Sequence, residues 1–285
     1  MRWPWQRRRP EAEQGREREP LNEPYPEAAD VSPDSDLDSP GAVPEYVVVF
    51  MHLPKCGGTS LHEWMDRVLA PGMLSPERNR LPLEISHDRL IDFRHHRVFS
   101  GHFDVVDLQR FPGPQRRFTV FRDPVETIVS LYDFWRAHDD AFIEEHDLVG
   151  PRVASSRSFE EFVGDVDPRI VPDLDNTMVR TFTGLIRTNA PFADPEAALA
   201  GAIDTVAALD HVGHVGRLDA TYAWLCDEFG IDRAVGAQRE RRNVRGEWTE
   251  PHLHNVERTV VSPEAAVALE PLVWLDRRLV ERFTG

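Results

Sequence analysis

The chain has 285 residues, 41% hydrophobic and 29% charged, enough for one large α/β domain or two small ones. Its 33 Arg and Lys stand against 49 Asp and Glu, a net charge of −16, which argues against general affinity for DNA, RNA or anionic membranes. Two cysteines, Cys56 and Cys226, are too few for a disulfide framework or a multi-cysteine metal site and point to a reducing compartment.

Residues 1–44 hold 8 of the 23 prolines and few aliphatic side chains, the composition of a disordered tail. The basic opening, with Trp3, Trp5 and Arg7 to Arg9, has no apolar stretch after it and so is not a secretory signal. It reads as a docking peptide, a membrane-surface contact or an end without a role. The longest strongly apolar run, Tyr46 to Met51, falls far short of the roughly 20 residues a membrane helix needs. A soluble cytoplasmic protein is expected.

Tyr46 to Met51 has the β-branched character of a strand buried on both faces. After a glycine turn, Leu61, Trp64, Met65, Val68 and Leu69 recur at helical spacing. Two further strands are predicted at Arg97 to Ser100 and Arg117 to Phe121. A helix follows from Pro124 to about Arg136, with Asp123 as N-cap and Glu126 placed for a capping box. Later helices are predicted near Phe159–Val163, Leu174–Thr183 and Pro195–Ala208, with a strand at His211–Val215. Helices near Asp219–Phe229 and Pro263–Phe283 close the chain. The alternation implies one three-layer α/β domain over 45–285, a parallel sheet flanked by helices.

The first strand runs into Pro54-Lys55-Cys56-Gly57-Gly58-Thr59-Ser60 and then the helix. Strand, glycine turn and helix start together make an anion site, because free backbone N–H groups and the helix dipole point at one place. Gly57 and Gly58 allow close approach, and Thr59 and Ser60 add hydroxyls. Lys55 precedes the glycines, whereas a Walker A loop places its lysine after them. It is also the sole lysine among the 33 basic residues. The segment resembles the 5′-phosphosulfate loop of sulfotransferases that use 3′-phosphoadenosine-5′-phosphosulfate (PAPS), above all the carbohydrate subgroup that includes heparan sulfate 2-O-sulfotransferase. Cys56 stands where that loop commonly has Thr.

That resemblance implies a P-loop-NTPase-like sulfotransferase fold and PAPS as co-substrate, with no metal required. Lys55, Gly57, Gly58, Thr59 and Ser60 would hold the 5′-phosphosulfate. A compact ammonium suits the bridging oxygen on which charge develops as the sulfuryl group leaves. Further on, Arg122 closes a strand and Ser130 projects from the following helix. An arginine fork with a hydroxyl suits a terminal phosphate, and Arg-Asp-Pro-x-Glu with a serine eight residues after the arginine resembles the family's 3′-phosphate site.

Between the two lies Ser100-Gly101-His102-Phe103. Residues just past a strand's carboxyl end face the ligand crevice of a doubly wound sheet, and an imidazole there can take a hydroxyl proton. The segment resembles the position of the family's proposed catalytic histidine, so His102 is the expected base, with His52, Asp104 and Glu63 as rivals. His52 would equally well orient the loop.

Asn176 and Arg180 share a helix face, either bracing the site or forming a surface pair. Val212-Gly213 to Leu225 resembles a late family segment of structural character. Arg239, Arg241, Arg242, Arg245 and Gly246 form a basic stretch, either a lid over the 3′-phosphate or a solvated loop. The pairs His95/His96, His211/His214 and His252/His254 lack the spacing of a zinc site. The sequence therefore reads as a PAPS-dependent sulfotransferase acting on a saccharide or glycolipid hydroxyl, with no nucleic-acid partner. The competing readings are a P-loop kinase-like phosphotransferase and a non-catalytic nucleotide-binding or scaffold protein.

Overall fold

The computed structural model describes residues 45–75, 96–111, 113–236 and 251–284. The tail 1–44 and the basic stretch from Arg239 to Gly246 lie outside the described residues.

Four strands, β1 (Val47–Met51), β2 (Val98–Gly101), β3 (Gln115–Phe121) and β4 (His211–His214), pair in parallel in the order β2–β1–β3–β4. In chain order the helices are α1 (Gly58–Val68), α2 (Pro124–Arg136), α3 (Asp140–Glu145), α4 (Val149–Ser156), α5 (Phe159–Gly164) and α6 (Val171–Leu174). They continue with α7 (Thr177–Thr183), α8 (Pro195–Ala207), α9 (Leu218–Phe229), α10 (Arg233–Gly236) and α11 (Pro263–Thr284). No helix among the described residues is long and apolar enough to cross a membrane.

The period of two along β1 sorts its side chains between two cores. Val48 and Phe50 pack with Leu61, Trp64 and Met65 of α1 and with Tyr222 and Leu225 of α9. Val47, Val49 and Met51 meet Met178 and Phe182 of α7, Leu199 of α8 and Leu275 and Leu279 of α11. The sheet therefore has helices on both faces, as the alternation of elements predicts. A third cluster joins α2, α4 and α5 to the first half of α11 through Leu131, Trp135, Phe162 and Leu269.

Two expectations change. Asp123 caps α2, its carboxylate accepting the Glu126 N–H at 2.9 Å, but Glu126 does not complete a capping box. Its carboxylate pairs instead with Arg122 and Arg258. The predicted helix over Leu174–Thr183 divides into α6 and α7, because Asn176 takes a left-handed conformation with φ 46°.

That break gives Asn176 a task. Its N–H and Nδ2 donate to the carbonyls of Leu272 and Pro271, at 2.7 and 3.2 Å. Its Oδ1 accepts from the N–H groups of Leu275 and Asp276, at 2.8 and 3.2 Å. In a regular α-helix these four groups would pair with one another one turn apart. Asp276 reciprocates, its buried carboxylate accepting the N–H groups of Met178 and Val179 at the start of α7. Arg180 is fully buried, pairs with Asp175, donates to the Ala190 carbonyl and lies over Phe192. The Asn176–Arg180 pair is thus an interior brace and not a surface pair.

Burial pushes the Asp276 carboxyl up to about 7, against the two N–H groups that favour its charged form. The folded state then binds a proton that the unfolded chain has released. The contribution is present below about pH 4 and is lost as pH rises to about 7. Asp276→Asn is expected to remove this dependence: its unfolding midpoint in urea should gain on that of the parent as pH rises from 4.5 to 7. A constant offset between the two would refute the assignment.

Candidate active site at the carboxyl ends of β1 and β3

The chain passes from β1 to β2 on one side and then reaches β3 on the other, so the loops after β1 and β3 diverge from adjacent strands. Such a switch point leaves a crevice beyond the strand ends. The loop after β1 is compact: Thr119 Oγ1 donates to the Met51 carbonyl at 2.8 Å, and the Cys56 N–H donates to Leu53 at 3.2 Å. Lys55 and Gly57 both have left-handed backbones, with φ 62° and 79°. For Gly57 this is cheap. For lysine it costs about 1–2 kcal/mol relative to an ordinary backbone. Helix α1 starts at Gly58 with Gly57 as its cap, and the first N–H groups of α1, at Gly58, Thr59 and Ser60, form its donor end.

Three groups hold the loop from below and beside it. Cys56 is fully buried, its sulfur 3.8 Å from Thr127 Oγ1, and burial raises its thiol to about 12, so it packs as a neutral side chain. Arg122, leaving β3, donates through NH1 to the Lys55 carbonyl at 3.2 Å and through NH2 to Glu126 at 3.1 Å. The Lys55 ammonium sits 3.9 Å from the centroid of Phe134. Glu126, Ser130 and Phe134 recur every four residues on α2 and so share one face. Arg122 pairs with the first member of that row and Lys55 lies over the last, and half-buried Ser130 stands between them in the row.

On the β2 side three histidines meet. The His52 ring stacks on His102 with centroids 4.6 Å apart at 25°, and lies edge-on to His62 at 5.5 Å. His62 Nε2 is hydrogen-bonded to Ser100 Oγ. His102 Nδ1 lies 2.9 Å from the His52 carbonyl oxygen. A carbonyl only accepts, so Nδ1 carries the proton and the lone pair of neutral His102 is on Nε2. Asp104 is otherwise engaged: it is fully buried, accepts the N–H groups of Val106 and Asp107, and takes both Nε and NH2 of Arg187. It is a structural ion pair and not a proton acceptor for chemistry. Glu63 lies on the exposed side of α1. Among the described residues no group of three or more His, Cys, Asp or Glu is arranged to hold a metal ion.

No protein-family model matches the chain, and no curated protein matches it.

The structure brings together Lys55, Gly57, Gly58, Thr59, Ser60, Arg122 and the Ser130 face, and sets His102 one strand away, where β2 pairs with β1. It also adds two residues that the motifs do not include. Phe134 supports the ammonium, and Arg258 donates to both oxygens of Glu126 at 3.0 and 2.9 Å. Arg258 arrives on a segment that runs back along α2, tied by the His254 N–H to Ala137 and by Thr259 Oγ1 to Asp133. A cavity of about 280 Å³ lies between them, lined by Glu126, Val129, Arg258, Thr259, Val260 and Val261. The only sequence trace of this arrangement is the spacing of Glu126, Ser130 and Phe134.

Proposed function

We propose that the protein is a PAPS-dependent sulfotransferase with a P-loop-NTPase-like architecture, acting on a hydroxyl acceptor of saccharide or glycolipid type. The observation that carries the reading is the 3.2 Å hydrogen bond from Arg122 to the Lys55 carbonyl. It joins two anion-binding elements, each at the end of its own strand, at the spot where the parallel sheet opens a crevice. A donor bearing phosphate at two ends needs two such elements, held at a fixed separation.

In this reading the N–H groups of α1 with Thr59 and Ser60 receive the 5′-phosphosulfate, and Arg122 with Ser130 receives the 3′-phosphate. His102 Nε2 takes the acceptor hydroxyl proton as the acceptor oxygen bonds to sulfur. The bond between sulfur and the bridging oxygen breaks, and its electron pair stays on the 5′-phosphate of 3′,5′-ADP. Lys55 donates to that oxygen as charge grows on it. Most of the rate would come from alignment of donor and acceptor with this charge stabilisation.

A thermal-shift titration tests the assignment. A ligand at 100 times its dissociation constant stabilises by about 2.7 kcal/mol, which for a domain of this size is a rise of roughly 5–10 °C. That rise is expected for 3′,5′-ADP and not for 5′-AMP or ATP with Mg²⁺. No response to 3′,5′-ADP would overturn the reading, and a response to ATP alone would favour a kinase.

A further inference from the structure

We infer that His52 is a positioning residue that locks the acceptor base to the anion loop; the inference rests on the sulfuryl-transfer reading. Three contacts converge on it. Its ring occupies the space above Gly58, where an added Cβ would lie 1.9 Å from Nε2 and 2.0 Å from Cε1. Glycine at 58 is therefore required for the ring to lie against the first residue of α1, the helix whose N-terminal N–H groups face the donor. The opposite contact is with His102, which stacks on the ring at 4.6 Å and places its Nδ1–H on the His52 carbonyl at 2.9 Å. The His52 N–H in turn donates to Gly101, the residue before His102, at 2.9 Å.

One side chain thus touches the loop that would hold the sulfuryl donor and the ring that would take the acceptor proton. Its backbone also pins the strand end from which that ring projects. The carbonyl fixes the tautomer of His102, and the stack fixes the plane of its ring. Together they set the direction of Nε2 relative to α1. A shift of about 1 Å in such an alignment costs roughly 10²-fold in rate. The requirement is for a flat ring at position 52, not for a titrating one.

The test compares His52→Ala with His52→Phe in the full-length protein. His52→Ala should lower kcat about 10- to 100-fold with little change in KM for PAPS, and His52→Phe should recover most of the loss. Nitrogen-15 NMR of the imidazoles supplies a readout independent of turnover: the Nδ1–H signature of His102 should persist in His52→Phe and weaken in His52→Ala. Gly58→Ala, which evicts the ring, should lower kcat in the parent but add little in His52→Ala. An unchanged kcat and an unchanged His102 signature in His52→Ala would overturn the inference, as would a His52→Phe enzyme as inactive as His102→Ala, since His52 would then be the base. Failure of 3′,5′-ADP to stabilise the parent would sink the reaction class, while the NMR comparison would still decide the coupling between the rings.

Discussion

Lys55→Ala is expected to lower turnover with PAPS by roughly 10²–10³-fold, about 2.7–4 kcal/mol of transition-state stabilisation, the usual loss when one preorganised donor to a developing charge is removed. Affinity for 3′,5′-ADP should fall by much less, because the N–H groups of α1 and the Arg122 fork remain. The ammonium is placed by two unusual features: a left-handed lysine backbone and a ring 3.9 Å from the charge. Neither is what an ordinary surface lysine would adopt, and the contact with Phe134 restricts the side chain before any ligand arrives. A glycine at this position separates function from folding. Lys55→Gly should be as inactive as Lys55→Ala yet more stable by about 1 kcal/mol, because glycine bears the left-handed backbone without a Cβ penalty. Single-turnover rates with labelled PAPS and urea unfolding of both variants check the two halves. A normal rate in Lys55→Ala would remove the leaving-group role.

The largest loss of stability is expected from Asn176→Ala, about 3–5 kcal/mol in urea unfolding. Asn176 is 1% exposed, and its side chain serves α11 on both sides of one helical turn. Alanine would strand two N–H groups and a carbonyl in the interior, each costing about 1–3 kcal/mol, and would still carry the left-handed backbone. Asn176→Gly relieves the backbone and strands the same groups, so it should fall short of the parent by less. Against a typical total of 5–15 kcal/mol, the alanine variant would be close to unfolding at 37 °C. A loss below about 1 kcal/mol would show that α11 closes its own hydrogen bonds when Asn176 is gone.

What the sequence disclosed, and what it did not, follows the range of the interactions. β1, β2 and the carboxyl half of β3 lie on short apolar runs, within a residue or two of their predicted ends, because burial on both faces leaves a local signature; β4, His211 to His214, is mostly half-buried and carries a weaker one. The glycine loop and the start of α2 are local too. By contrast, α3 and α4 arise from 140–156 as helices of six and eight residues, the second with Gly150 and Pro151 in its first turn, and no helix is predicted there. The split of the helix at Asn176 depends on a partner about 100 residues away. Likewise the ring beneath Lys55, the pairing of His62 with Ser100 and the arrival of Arg258 at Glu126 join residues separated by 38 to 132 positions. Glu126 shows the competition directly: its spacing fits a capping box, but two guanidinium groups outbid one backbone N–H for the carboxylate.

The strand order distributes the candidate site unequally. Lys55 and Arg122 hang from β1 and β3, the two interior strands, whereas His102 follows β2, whose far side among the described residues carries only the short bridge of Met73 to Ser75 at Val98. Transient opening of a sheet begins where the ladder has fewest neighbours and reaches the middle only near global unfolding. Amide exchange is therefore expected to be slower around Lys55 and Arg122 than around His102. On the proposed roles, thermal agitation or a destabilising substitution would uncouple His102 first, leaving a chain that still binds 3′,5′-ADP after turnover has stopped.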